Sequence, residues 1–405
     1  MISKLLKWCL KLIPVLLLLG IIYLNYSLYY HPTFKATDRG VYNEDVYQQL
    51  NFLKFALRNG AGDEMQSLFP EGFVFINSLY GLSWCNLIRY LDRDSPIYKE
   101  GIDEISWSIK EVNSPKAKQI FPENLPLAYG VFYKGWSNVL LGSKLAVQSE
   151  EDRDSSDIRL FKQYCSQIST VLSQSNSPYL ESYHGQAWPA DMMVAMASIN
   201  IHDQIFEEEY QSTIEEWVIK VRQKLDVETG LIPHSVEAIS GNTFEGARGS
   251  SQSLMLNFLK DIDGGFAQEQ FKRYKELFLD SRFFLLGIRE YAKGQRGRGS
   301  IDSGPVILGI GGAASIVGQR TMGKYESWDT YEGLRNCIEG FGVAYTFNAK
   351  KRYVFGQLPM ADAFIAWSNS LENKGNEVKV DSNWRLKFQI LSVLLVVMFA
   401  YLIRE

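Results

Sequence analysis

Two kinds of apolar pattern alternate along the middle of this chain. In segments 43–57, 96–112, 158–173, 210–225, 268–280 and 328–340, apolar residues recur at helical spacing between charged ones, which predicts helices with one wet face. Segments 73–90, 129–147, 189–202, 249–262, 304–322 and 359–371 are small and apolar nearly all round, which predicts helices packed on every side. The two kinds alternate strictly, six of each, at a spacing of about 55 to 60 residues, within the range of internal structural repeats. Two layers of helices follow. The simplest closed form is an all-α (α/α)6 toroid over residues 31–382, with the apolar set as inner ring and the charged set as outer ring. Glycine and alanine gather at Gly304, Gly309, Gly311, Gly312, Ala313 and Ala314, where a crowded inner helix would need close backbone approach.

The ends of the chain break the pattern. Residues 12–30 are almost wholly apolar or aromatic and follow Lys4, Lys7 and Lys11; residues 388–403 are apolar and precede Arg404. These predict a membrane anchor within residues 1–30 and a C-terminal transmembrane helix within 386–404. Lysines before the first span place the N-terminus in the cytoplasm and the large domain outside it. No small-residue cleavage site follows the first span, so a retained anchor is expected rather than a removed signal peptide. A lipid bilayer is therefore an expected partner.

Composition narrows the rest. A formal charge of -4 without acidic or basic blocks argues against nucleic acid. Cys9, Cys85, Cys165 and Cys337 show no ligand spacing, and a histidine metal site would need most of His31, His184, His202 and His234. No metal and no cofactor is expected.

The loops that lead into the inner helices are longer and richer in polar groups than those that leave them, and antiparallel packing brings them to one rim. The 180–201 stretch carries Tyr183, His184 and Trp188 ahead of Pro189 and Asp191, in the first turn of a helix where proline is tolerated and a carboxylate faces the positive dipole end. Asp191, Asp302 and Asp362 enter through three different loops. Carboxylates held in one cup can divide acid and base roles, whereas singly each would serve as a helix cap. His184 suits proton transfer beside an aromatic platform, with His234 as a second such group. His202, at a helix end, reads as structural. Arg248 lies between glycines with Glu245 three residues earlier, able to grip an anionic substrate or to pair with Glu245.

The segments FYKGWSNVLLG (132–142), PAD after Trp188, SGPVILGIGGAAS and LPMADAFIAW resemble the linalool dehydratase-isomerase group of (α/α)6 proteins over most of residues 73–367. The resemblance implies the toroid, a cofactor-free cavity and acid/base chemistry. Trp136 stands where that family has an active-site histidine, and Tyr183, His184, Trp188 and Pro189 stand where it has a cysteine pair. The expected catalytic set is Asp191, His184 and Asp302, and the expected substrate contacts are Tyr183, Trp188, Arg248, Trp136, His234, Glu245 and Asp362. Three classes of function remain open: a lyase or isomerase acting on a small molecule, a hydrolase or lyase acting on a glycan, and a non-catalytic binding or assembly protein.

Overall fold

A computed structural model describes residues 2–38, 40–300, 303–371 and 383–404. The described residues form sixteen α-helices. The first half comprises α1 (Ile2–Ser27), α2 (Glu44–Arg58), α3 (Ala61–Leu68), α4 (Gly72–Ile88), α5 (Pro96–Val112), α6 (Pro115–Lys118), α7 (Gly130–Val147) and α8 (Ser155–Ser173). The second comprises α9 (Pro189–Ile205), α10 (Gln211–Arg222), α11 (Gly249–Ile262), α12 (Gly264–Phe278), α13 (Gly312–Lys324), α14 (Trp328–Phe341), α15 (Pro359–Asn369) and α16 (Asn383–Arg404).

Ring closure is explicit in the packing. Helix α4 packs on α7, α7 on α9, α9 on α11, α11 on α13, α13 on α15, and α15 returns to α4. Outside them, α2, α5, α8, α10, α12 and α14 each cover the seam beside an inner helix. The protein is an (α/α)6 toroid. Burial follows the sequence pattern: nearly every side chain of α4 and α7 is buried, whereas α8 buries Phe161, Tyr164, Cys165, Ile168 and Leu172, one helical stripe. Caps fix several starts. The Asn43 side chain accepts from the amides of Asp45 and Val46, Ser95 from Tyr98, and Asp263 from Phe266.

Two expectations need correction. The fifth inner helix starts at Gly312, not Gly304, because residues 304–311 fold into a hairpin of Val306–Ile307 with Ile310–Gly311. Gly304 and Gly309 supply the left-handed backbone of that hairpin, at φ 62° and 84°, rather than helix packing. The close approach comes from Gly318, where a Cβ would meet Ile288 and the Tyr274 hydroxyl. The fifth outer helix also starts earlier than its apolar pattern, with α12 beginning at Gly264 behind its Asp263 cap.

On the rim where the inner helices begin, short strands join neighbouring loops. Gln186–Ala187, Ser235–Glu237 and Thr243–Glu245 form one antiparallel sheet. Leu279–Arg282 pairs with Leu285–Ile288, and Tyr345–Phe347 with Lys350–Arg352. Helices α1 and α16 lie antiparallel, with Asn25 Nδ2 bonded to Ser392 Oγ at 3.0 Å. Their toroid ends meet α14 through a small core of Leu28, Leu285, Cys337 and Phe388, an ion pair of Arg385 with Glu332, and Asn336 Nδ2 bonded to the Leu28 carbonyl at 2.9 Å. Residues Trp384–Arg404 are long and apolar enough to cross a membrane, while the apolar part of α1, Leu12–Ser27, is shorter.

Candidate functional site

Aromatic rings of the inner helices meet along the axis of the ring, with Trp136 buried and Phe75, Phe258 and Phe364 half-buried. Phe75 of α4 lies 4.7 Å from Trp136 of α7 and 4.9 Å from Phe364 of α15, measured between ring centroids. Trp136 then meets Phe258 of α11 at 6.2 Å, and Phe258 stacks on Trp367 of α15 at 5.9 Å. Phe75, Phe132, Trp136 and Phe364 all sit in the first two turns of their helices, so the plug begins close to the rim. Trp136 is 1% exposed and belongs to this packing, not to an open bowl.

The rim groups therefore separate into two neighbourhoods. In the first, Ser182 donates to Asp191 Oδ2 at 2.5 Å, and the Tyr183 hydroxyl donates to Glu71 Oε1 at 2.6 Å. Tyr183 stacks on Phe121 and meets Trp188 edge-on, while His184 is exposed and bonded through Nε2 to Asn124 Oδ1 at 2.9 Å. A Cβ at Gly130 would fall on the Ser182 carbonyl, so the start of α7 is what holds this loop against α9. Asp191 and His184 have different partners, and the geometry makes no direct dyad of them.

The second neighbourhood gathers three of the expected residues at the start of α11. Arg248, 4% exposed, donates through Nε to Glu290 Oε1 at 2.8 Å and through Nη2 to Ser300 Oγ at 3.2 Å. Its Nη1 lies 3.5 Å from Glu245 Oε1 and 3.5 Å from His234 Nε2, and its guanidinium lies over the Tyr291 ring. His234 Nδ1 is bonded to Ser251 Oγ. Burial, and then the Arg248 charge, push the His234 imidazole down to about 3, so it stays neutral at physiological pH. Glu290 is fully buried and its acidity is weakened by burial, against the opposing pull of Arg248 and the Ser250 hydroxyl.

Beside this cluster opens a cleft of about 610 Å³, lined by Asp226, Glu228, Phe244, Glu245, Arg248 and Tyr291 among others. Asp226 accepts the Thr229 hydroxyl at 2.5 Å and borders Gly246, where a Cβ would come 3.3 Å from its Oδ2. Glu245, the residue before that glycine, is only half-buried. Its side chain is 41% exposed, so a carboxylate reaches the cleft while Arg248 holds it from below. Phe244 projects at 85% exposure. The cleft lining does not include Asp191, Tyr183, His184 or Trp188. The two neighbourhoods abut through the pairing of Gln186–Ala187 with Glu237 and Val236.

Asp362 sits apart from both. It is 2% exposed, accepts the Tyr353 amide at 2.8 Å, and is pushed up to about 8 by burial. Asp302 lies outside the described residues. Glu290, Tyr291, Asp226 and Phe244 were not picked out by sequence reasoning. The first two follow a strand rather than lead into an inner helix; the others carry only a turn pattern, DVETG and GNTFEG.

Comparison with protein-family profiles and with curated protein sequences finds no match. Among solved structures, the chain is similar to the unsaturated glucuronyl hydrolase of Bacillus sp. GL1, described as responsible for the degradation of glycosaminoglycan. The identity is 10%, the alignment covers 81% of this chain and 95% of that one, and the TM-score is 0.49.

Proposed function

We propose that this protein is a membrane-anchored toroid that acts on a glycan in the cleft beside the start of α11. What carries the reading is the make-up of that cleft: an accessible carboxylate, Glu245, a second carboxylate, Asp226, on the other side of Gly246, and aromatic rings of Phe244 and Tyr291. Paired carboxylates flanking a scissile bond, with rings for the sugar faces, are the equipment of glycoside chemistry. In this reading Glu245 is the reacting carboxylate. Arg248 orients it and the substrate, and the neutral His234 accepts a hydrogen bond instead of carrying charge. Glu290 holds Arg248 in place from the buried side.

The lyase or isomerase reading for a small hydrocarbon-like substrate asks for an enclosed apolar space, and the axis that would provide it is narrowed by Phe75, Trp136, Phe258 and Phe364. That same narrowed axis favours, as second reading, a toroid that binds a glycan without turning it over. As membrane anchors, α1 and α16 cross the bilayer as an antiparallel pair, with Lys4, Lys7, Lys11 and Arg404 on the cytoplasmic side.

The test is oligosaccharide binding and turnover by the full chain in vesicles, with Glu245→Gln and Asp226→Asn alongside. The expected result is turnover that falls by about 100-fold or more in Glu245→Gln, the scale of losing a positioned proton-transfer group. Binding without turnover would select the second reading. No binding of any glycan, or full activity in Glu245→Gln, would overturn the assignment.

A further inference from the structure

The apolar end helices and the rim of the toroid are in register with one another. Helix α14 runs alongside α1 in the opposite direction. Asn336 meets the Leu28 carbonyl, the Tyr23 hydroxyl meets the Glu339 carbonyl at 3.4 Å, and Gly340 faces Leu24 and Ser27. Against α16 it runs parallel, Glu332 pairing with Arg385 and Cys337 packing in one cluster with Phe388. The C-terminal end of α14, which is the rim end, therefore points down the two apolar helices and not away from them.

Depth can be counted from both spans. From Leu12, just beyond Lys11, to Leu24 is twelve residues, about 18 Å of helix, inside a hydrocarbon layer of about 30 Å. From Arg404 back to Ser392, the partner of Asn25, is again twelve residues, about 18 Å. Tyr26, exposed on α1, and Tyr29, exposed in the turn after it, together with Trp384 lie above this level, where an aromatic belt belongs.

What stands at that level on the toroid is apolar and exposed. Phe341 and Val343 follow Gly340, and the Val354 amide bonds to the Gly342 carbonyl, which brings Val354 and Phe355 alongside. Phe341 and Phe355 are 62% and 64% exposed. Val343, Val354 and Phe355 also hold left-handed backbone, at φ 47°, 46° and 59°, where Gly or Asn would be the low-cost choice in water. These large apolar side chains are exposed and, at three positions, strained, and they continue directly from the apolar end helices.

We infer that Phe341, Val343, Val354 and Phe355 form a second membrane contact, inserted in the hydrocarbon of the leaflet from which the toroid projects, so that the α14–α15 edge of the rim meets the bilayer. The inference rests on α1 and α16 spanning that bilayer. In it, the toroid is held by two contacts of different kind: a span pair docked on the outer wall, and an apolar apron on the rim. On this count the apron lies about 12 Å below the edge of that layer, somewhat deeper than the roughly 5–10 Å usual for interfacial elements.

The experiment uses the full chain in phosphatidylcholine vesicles, with an environment-sensitive fluorophore placed by Phe341→Cys, Phe355→Cys, Leu17→Cys and Tyr90→Cys in separate samples. Tyr90, exposed at the far end of α4, marks the opposite face of the ring. The expected result is quenching by spin-labelled lipid and loss of iodide quenching at 341, 355 and 17, with the reverse at 90. Iodide access at 341 and 355 with lipid quenching at 17 would overturn the rim contact and leave the anchor standing. Iodide access at 17 would overturn the anchor itself. Because all four positions are on exposed side chains, labelling leaves the packed core untouched.

Discussion

Asp362 is a carboxyl buried without an ion pair among the described residues. Its Oδ1 accepts the Tyr353 amide, and its Oδ2 has no hydrogen-bond partner among those residues. Burial raises it to about 8, far above its value in an unfolded chain, so the folded state favours the protonated form. The stability this group contributes is therefore complete below about pH 4 and drains away as pH rises toward 8. His234 works in the other direction, since its lowered value makes folding less favourable in acid, an effect that has all but gone by about pH 7.5. From about pH 6.5 to 8 Asp362 lowers stability by about 2 kcal/mol, against which His234 and Lys134, the latter pushed down to about 8 by burial, each return roughly 0.4 kcal/mol. Asp362→Asn keeps the acceptor for Tyr353 and removes the titration. Chemical denaturation at pH 6.5 and 8 is expected to show the variant gaining about 2 kcal/mol on the wild type between the two; parallel curves would refute the buried acid. At Arg248 the prediction is of the opposite kind. Arg248→Met strands Glu290 in the core and is expected to cost about 3–5 kcal/mol, while adding Glu290→Leu recovers a large part of it, read as two denaturation midpoints.

Helix starts explain both what the sequence announced and what it hid. The twelve ring helices were legible because burial is one-sided in the outer set and all-round in the inner set, and periodicity reports only that. Arg248 with Glu245 was legible because three residues separate them. Arg248 with Glu290 was not, since the two stand forty-two positions apart with a hairpin between them and no local pattern marks the pairing. The same limit applies to Gly249. In sequence it is one glycine among several; in the fold a Cβ there would fall on the Arg289 carbonyl, next to the bond from the Gly249 amide to the Glu290 carbonyl at 2.8 Å. Gly249→Ala is expected to push α11 away from the 289–291 segment, costing roughly 3 kcal/mol and loosening the Arg248 grip. Gly264, at the first turn of α12, has nothing within 4 Å of the position a Cβ would take, and Gly264→Ala is expected to gain about 0.4–1 kcal/mol by restricting the unfolded chain. Thermal melts of the pair decide whether close approach or mere helix propensity governs these starts.

For the whole molecule, closing six inner helices leaves a space along the axis, and what fills it determines where chemistry can happen. Aromatic rings join the neighbours α4, α7 and α15 and reach across one intervening helix from α11 to α7 and to α15. Phe75, Trp136 and Phe364 interlock near the rim, with Phe258 and Trp367 deeper. The rings link α4, α7, α11 and α15, so they stabilise ring closure and narrow the axis. Trp136→Ala and Phe258→Ala are each expected to cost about 3–5 kcal/mol. Their rings are in contact, 6.2 Å apart, so the double variant should cost less than the sum, because the second removal enlarges a void already present. The void would be apolar and dry, and a benzene-sized ligand should raise the melting temperature of Trp136→Ala and not that of the parent. Additive losses with no ligand effect would mean that the ring collapses inward when its plug is thinned, and the axis would then owe its closure to the outer helices instead.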